Sequence, residues 1–106
     1  MADTPTILWP GKSGIKYTYW IYKLGASFKD EGGNYIFAKE TNPGSWTPVY
    51  IGQTDNLDKR LEDHEKYPCA IRNGATHIHA HLNSKKEDRL AEETDLIQGW
   101  NPVCNG

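Results

Sequence analysis

The chain has 106 residues, the length of one ordinary domain with one hydrophobic core. Hydrophobic residues make up 37% and charged residues 25%, which excludes a disordered chain. The formal net charge of −2 excludes a general attraction to nucleic acid or to anionic membranes, so any such contact must come from a local patch. No apolar run reaches membrane length and the N-terminus lacks a signal-peptide pattern, so we expect a cytoplasmic protein without membrane contact.

The first half of the chain predicts strands and turns. After a loose end over residues 1–6 and a turn over 10–14, residues 15–24 predict a central strand with aromatic side chains on both faces. Residues 35–38 and 47–51 predict two shorter strands that a turn over 41–45 can join as a hairpin. This segment is open to two interpretations, a plain hairpin or an insertion that contacts a substrate.

Residues 54–66 fit a helical period, with Thr54 or Asp55 as N-cap and an end at Tyr67-Pro68. Leu57 and Leu61 share one face, six charged residues lie on the opposite face, and Arg60 and His64 lie beside the leucines. A half-buried arginine needs an anionic partner. The partner is either a structural carboxylate or a bound anion.

Residues 76–82 predict a strand in which His77, His79 and His81 alternate with apolar residues. Three histidines on one face can bind zinc, but the sequence offers no fourth ligand for them. We favour a solvated face or a phosphate-binding surface. Cys69 and Cys104 do not form a C-x-x-C pair, and we expect both to be buried and reduced.

Ser84 and Glu87 have capping-box spacing and predict a helix that runs to about Gln98 and ends at Gly99. The helical period places Glu93 among apolar neighbours, while Glu92 and Asp95 point away. A carboxylate on an apolar face needs a cation. The candidates are Arg89 one turn earlier, Arg60 across the fold, or a metal ion.

With these residues in place, the chain resembles a GIY-YIG nuclease domain. The second signature of that family is present as Tyr50-Ile51-Gly52, and Trp20-Ile21-Tyr22 stands in part for the first signature. The resemblance extends from about Tyr17 to Asn105, and it also covers Thr54, Asn56, Leu57, Arg60, His64, Glu93, Leu96, Ile97, Pro102 and Asn105. The family includes homing endonucleases, some restriction enzymes and the N-terminal nuclease domain of the bacterial excision-repair incision subunit.

The resemblance implies an α/β (α+β) fold, with a small, mostly antiparallel central sheet of three or more strands flanked by helices. It implies a nuclease domain over residues 15–106, preceded by an extension over 1–14 and interrupted by an insertion at about 25–47. It also implies a metal-dependent endonuclease that hydrolyses DNA, with RNA not excluded, in repair, recombination, mobile-element or restriction contexts. The implied site residues are Tyr22, Tyr50, Arg60, His64, Glu93 and Asn105.

Each implied residue suits a step of phosphodiester hydrolysis. Tyr22 and Tyr50 are implied to lie at the attacking water, and either His64 or a tyrosine is the base. The forked guanidinium of Arg60 suits phosphate oxygens. Glu93 suits a single Mg²⁺ or Mn²⁺ ion, and Asn105 can order the metal or the phosphate through its amide.

Two rival functions remain. One is a non-catalytic nucleic-acid-binding or regulatory module with the same fold. The other is a metal-binding or interaction protein that uses the histidine strand. Because the catalytic module of this family borrows specificity from other domains, we also expect a separate targeting protein as a possible partner.

Overall fold

Five antiparallel strands form one sheet in the computed structural model, which describes residues 4–106. The strand order is β1-β2-β5-β3-β4, so β5 lies at the centre and β1 and β4 lie at the edges. The α/β fold predicted from the resemblance is confirmed. The elements in chain order are β1 (Thr6–Pro10), β2 (Lys16–Lys23), β3 (Gly33–Asn42), β4 (Ser45–Thr54), α1 (Leu57–Glu62), α2 (Tyr67–Arg72), β5 (His77–Leu82), α3 (Lys86–Trp100) and the 3-10 turn η1 (Val103–Asn105).

The helices cover the two faces of the sheet unequally. On one face, which we call the α1 face, Leu57 and Leu61 of α1 pack with Tyr35 and Phe37 in a core that includes α2. On the opposite face, the α3 face, Leu96 packs in a second core. Strand alternation supplies both cores, because successive residues point to opposite faces.

The predicted hairpin is confirmed as β3 and β4, which pair antiparallel from Gly33–Thr54 to Asn42–Ser45. The turn residue Gly44 has φ +80°, which glycine adopts without strain. β3 pairs with both β4 and β5, so the segment predicted as an insertion at about 25–47 contains an inner strand of this sheet. That residues at about 25–47 form an insertion relative to other members of the family stays a prediction.

The predicted helix over residues 54–66 is wrong in its extent, because two short helices form instead. Asn56 caps α1 by accepting a hydrogen bond from the Lys59 amide (3.0 Å), and α1 ends at Glu62. Tyr67-Pro68 begins α2 rather than ending a helix, since proline is tolerated in a first turn.

The boundaries of α3 also differ from the prediction. Its N-cap is Lys85, which makes no side-chain cap bond, so the predicted Ser84–Glu87 capping box does not form. The helix passes through Gly99 and ends at Asn101, whose φ of 48° is left-handed. At Gly99 a Cβ would lie 2.9 Å from the Lys12 amide nitrogen, so this glycine permits close packing on the N-terminal loop.

The N-terminal segment is part of the sheet. Residues 6–10 form edge strand β1, which sequence analysis did not predict, although residues 1–3 of the predicted loose end lie outside the described residues. β2 was predicted to be covered on both faces, but Trp20 on its α1 face is 43% exposed because α1 and α2 lie over β3, β4 and β5. Among the described residues, no helix is long and apolar enough to cross a membrane.

Cys69 and Cys104 form a disulfide between α2 and η1, with their Cα atoms 6.0 Å apart. The prediction that both are reduced thiols is therefore wrong. The sequence did not reveal this pairing because the two cysteines are 35 residues apart and only the fold brings them together.

We expect the disulfide to contribute about 3–4 kcal/mol to the free energy of unfolding, because it closes a long loop in the unfolded chain. Chemical denaturation with and without dithiothreitol measures this difference. A variant with both Cys69→Ser and Cys104→Ser should have the stability of the reduced protein and no response to dithiothreitol. Two free thiols in the non-reduced, denatured wild type would contradict the assignment.

Candidate active site

Two tyrosine rings lie against the backbone of Gly52 on the α1 face. A Cβ at Gly52 would lie 2.6 Å from the Tyr35 hydroxyl oxygen and 2.9 Å from Tyr50 Cε2. The ring centroids of the two tyrosines are 6.2 Å apart, and Tyr50 is the more exposed. Gly52 is therefore required as glycine because any side chain would displace one of the phenols.

The first signature is Gly33-Asn34-Tyr35 rather than Trp20-Ile21-Tyr22. Tyr35 pairs directly with Gly52 in the β3–β4 ladder, and a Cβ at Gly33 would clash with the His81 carbonyl oxygen and Leu57. Tyr22 lies three strands away from Tyr50, about 14 Å at the usual strand spacing, and its ring packs edge-on against Phe28. The Gly-x-Tyr spacing at 33–35 was the signal that sequence analysis missed.

His64 donates a hydrogen bond to Tyr35. Its Nδ1 accepts from the Lys66 amide (3.0 Å) and its Nε2 lies 2.7 Å from the Tyr35 hydroxyl. Burial lowers the pKa of His64 to about 4, so the ring is neutral at pH 7 and its one proton lies on Nε2. His64 is 2% exposed, and its hydrogen bond orients the Tyr35 phenol.

Arg60 forms a two-fold hydrogen bond with Glu65. The distances are 2.6 Å and 2.8 Å, and 64% of the Glu65 side chain is exposed. Arg60 holds the pKa of Glu65 at about 2, so this carboxylate stays ionised. Burial raises the pKa of Tyr35 and Tyr50, and the Arg60 guanidinium nearby opposes that rise. Sequence analysis had placed Glu65 on the solvent side without a role.

Glu93 reaches the same cluster from α3. Burial raises its pKa, the backbone amide of Gln53 opposes that rise, and the Glu93 charge raises the pKa of both Tyr35 and Tyr50. No basic side chain among residues 4–106 lies within 4.0 Å of the Glu93 carboxylate. The predicted pairing with Arg60 or Arg89 therefore does not form.

Glu92 and Asp95 of α3 were predicted to point away, but both bind other parts of the fold. Glu92 is 6% exposed and accepts hydrogen bonds from Tyr19 (2.5 Å) and His81 (2.7 Å). Asp95 accepts from the Ser13 amide and hydroxyl and from the Tyr17 hydroxyl. Both were missed because their partners precede them by more than 70 residues, except for His81.

Asn105 binds the backbone of the second signature. Its amide oxygen accepts from the Ile51 amide (2.9 Å) and its amide nitrogen donates to the Ile51 carbonyl oxygen (2.8 Å). Since β4 is an edge strand, these groups have no partner strand. In this structure the Asn105 side chain is thus committed to holding β4.

The histidine strand is packed rather than solvated. His79 is fully buried, its Nδ1 accepts from Trp9 Nε1 (2.9 Å), and its ring stands edge-on to Trp46. The Nε2 atom of His79 is buried and has no hydrogen-bond partner in the described chain. No group of three or more metal-binding side chains occurs within residues 4–106, which contradicts a three-histidine zinc site. A phosphate-binding surface at His77 and His81 stays a prediction.

The cluster thus joins two phenols, one guanidinium and one carboxylate without a cationic partner. A half-buried carboxylate of this kind fits Mg²⁺, which commonly takes one carboxylate with water and substrate phosphate oxygens as its other ligands. A guanidinium paired with an exposed carboxylate can exchange that partner for phosphate, because exposed ion pairs contribute little stability.

Comparison with known proteins identifies relatives of this fold. The model of the T5orf172 domain matches residues 32–96, a range that begins just before Gly33 and includes Tyr35, Tyr50, Arg60, His64 and Glu93. No curated protein sequence matches the chain.

Among solved structures, the chain is similar to the GIY-YIG N-terminal endonuclease domain of UvrC from Thermotoga maritima, bound to its catalytic divalent cation, magnesium. That similarity has a TM-score of 0.61 and 24% identity and covers 78% of this chain and 90% of that one. A tyrosine-to-phenylalanine variant of the same domain gives a TM-score of 0.60 and 25% identity over 78% and 89%. The GIY-YIG-like fold predicted from sequence is confirmed.

The buried histidines predict a pH-dependent stability. Burial lowers the pKa of both His64 and His79 to about 4, below the unfolded value of 6.5. The unfolded chain therefore binds protons at higher pH than the folded protein does. Stability is complete above pH 6.5 and falls as the pH drops towards 4, by roughly 3 kcal/mol for each histidine.

Urea denaturation between pH 7 and pH 4.5 checks this expectation. The His64→Asn and His79→Asn variants should each show a smaller loss of unfolding free energy over this range than the wild type. Carboxylates that titrate near pH 4 affect all three proteins alike, so the comparison isolates the histidines. Equal losses in wild type and variants would refute it.

Proposed function

Because the chain belongs to the T5orf172 domain family and has the fold of a GIY-YIG endonuclease domain, we propose that it is a metal-dependent endonuclease that hydrolyses phosphodiester bonds of DNA. The observation that carries the proposal is that four elements, β3, β4, α1 and α3, bring Tyr35, Tyr50, Arg60 and Glu93 close enough for Arg60 and Glu93 to affect the pKa of both phenols. Phosphodiester hydrolysis needs an oriented water, a cation at the phosphate and a carboxylate for metal, and these residues supply the groups.

In this proposal Arg60 binds the non-bridging oxygens of the scissile phosphate with its forked guanidinium. Tyr50, the more exposed phenol, contacts the attacking water, and Tyr35 takes the role that the sequence assigned to Tyr22. His64 orients Tyr35 through its Nε2 proton. Asn105 acts as a positioning residue, because it fixes the backbone between Tyr50 and Gly52.

Glu93 is the residue that would hold Mg²⁺ or Mn²⁺. The bound cation would stabilise charge at the phosphate and lower the pKa of bound water. Burial makes the isolated Glu93 carboxylate costly, so a cation there also relieves the protein of an unpaired charge. A place in DNA repair and a separate targeting protein are also part of the proposal. The predicted cytoplasmic location is not, because structural disulfides such as Cys69–Cys104 are rare in the cytosol.

A non-catalytic nucleic-acid-binding module is the alternative function. It has no need of a carboxylate held beside two phenols and a guanidinium. The presence of the whole group therefore favours the enzyme. The interaction protein that uses the histidine strand lacks support, because His79 is enclosed by Trp9 and Trp46.

We expect the purified protein to nick supercoiled plasmid DNA with Mg²⁺ or Mn²⁺ and not with chelator. Arg60→Ala should lose about 10²-fold or more of the rate, because it removes the cation at the phosphate. Glu93→Gln keeps the shape of the side chain and removes its charge, so it should lose activity through metal binding.

His77→Ala is a matched control, since His77 lies on the other face of the sheet and contacts none of these residues. It should cut at the wild-type rate. Nicking that survives both Arg60→Ala and Glu93→Gln would show a contaminant or a wrong site. Absence of nicking by the wild type on supercoiled and single-stranded DNA, at low salt, would favour the binding module.

Glu65 competes with phosphate for Arg60, so Glu65→Gln should strengthen DNA binding. We expect the dissociation constant in chelator to fall by no more than about 5-fold, because an exposed ion pair contributes little stability. Glu62→Gln, an exposed acidic residue of α1 with no ion pair in the described chain, controls for the change in net charge. Equal effects of the two substitutions would mean that Glu65 acts only through overall charge.

A further inference from the structure

A groove of about 560 Å³ lies on the α1 face of the sheet where the helices leave β2 uncovered. Its aromatic side chains are Trp20 and Tyr22 from β2 and Phe28 from the loop after it. Polar groups complete the lining, among them Thr18, Ser27 and Lys29. None of these residues has a role in the catalytic cluster, and all precede the range matched by the family model.

Aromatic packing orders one part of the groove. Tyr22 packs edge-on against Phe28, with ring centroids 5.1 Å apart. Trp20 keeps 43% of its surface exposed although β2 is an inner strand. An exposed indole beside hydroxyl groups and a lysine matches a nucleotide, whose base is flat, whose edges form hydrogen bonds and whose phosphate is anionic.

The groove adjoins the proposed active site. Leu57 lines the groove and begins α1, the helix that carries Arg60 in its next turn. Trp20, Ala80 and Tyr35 lie in register on three adjacent strands, so Trp20 is about 10 Å from Tyr35 at the usual strand spacing.

The net charge of the protein explains why DNA binding would need a local contact such as this groove. A net charge of −2 supplies no general attraction to DNA, so affinity must come from local contacts. Stacking on an aromatic side chain is such a contact, but it requires a base whose face is free. Bases inside a duplex are already stacked on their neighbours.

We infer that this groove binds an unstacked nucleobase of the DNA strand being cut, with the base on Trp20 and its phosphate near Lys29. The substrate class is then DNA with a single-stranded or extrahelical segment next to the cleavage site. The inference rests on the proposed function, since it places the groove next to the scissile phosphate.

Fluorescence anisotropy with labelled oligonucleotides in chelator tests the inference without cleavage. The probes are a short single strand and the same sequence as a blunt duplex. Trp20→Ala should weaken single-strand binding by about 5- to 150-fold and change duplex binding little. Trp20→Phe should retain most of the single-strand affinity because it keeps an aromatic face.

Trp100→Ala is the matched control, since Trp100 is 39% exposed and lies outside the groove. It should leave both affinities unchanged, and circular dichroism checks that each variant is folded. Unchanged single-strand binding by Trp20→Ala, or an equal loss for single strand and duplex, would overturn the inference. So would sedimentation that shows Trp20→Ala turning a dimer into a monomer with DNA binding intact, because the groove would then be an interface between copies.

The two proposals fail in different ways. If the wild type nicks DNA and Trp20→Ala binds every probe as tightly as the wild type does, the nuclease function stands and the nucleobase groove is refuted. A wild type that neither binds nor cuts any probe loses the proposed function, and the inference fails with it.

Discussion

The close approach of two tyrosine rings to the backbone of Gly52 is the constraint on which the site depends. Because Gly52 has no side chain, Tyr35 and Tyr50 can lie over β4 on the same face. His64 then covers Tyr35 from the segment between α1 and α2, and Arg60 faces both phenols from α1. The strands β3 and β4 therefore position the two phenols, and α1 adds the charged guanidinium beside them.

Two side chains contact backbone groups at the exposed edge of β4, and both contacts help to form the candidate site. Ile51 and Gln53 direct backbone groups away from β3, where an edge strand leaves them unpaired. Asn105 takes both groups of Ile51, and the Gln53 amide faces Glu93. The disulfide between Cys69 and Cys104 anchors the turn that carries Asn105. A strand edge that would otherwise invite aggregation thus positions a carboxylate and a signature motif.

Periodicity along the sequence can predict which residues of a single helix or strand are buried. The helical period placed Leu57 and Leu61 correctly, because burial on one helix face follows from spacing alone. It misplaced the buried face of α3, where Leu90 is exposed and Glu92 is buried. It could not predict Tyr35, the disulfide or the partners of Glu92, since each depends on pairing between distant segments. The Gly-x-Tyr spacing at residues 33–35 was visible in the sequence, but strand register was needed to show that Tyr35, and not Tyr22, lies opposite Gly52.

The charges of the candidate site explain why phosphate binding there would depend on a metal ion. His64 is neutral, and Arg60 is offset by Glu65, so Glu93 is the charge that the protein leaves unbalanced when ionised. A phosphodiester alone would meet this negative charge and a guanidinium that is already paired. If Glu93 holds a divalent cation, as proposed, the local charge would change sign, and an anionic phosphate could displace the exposed Glu65 from Arg60 at little cost. The ion pair thus keeps Arg60 in place until a stronger anion arrives.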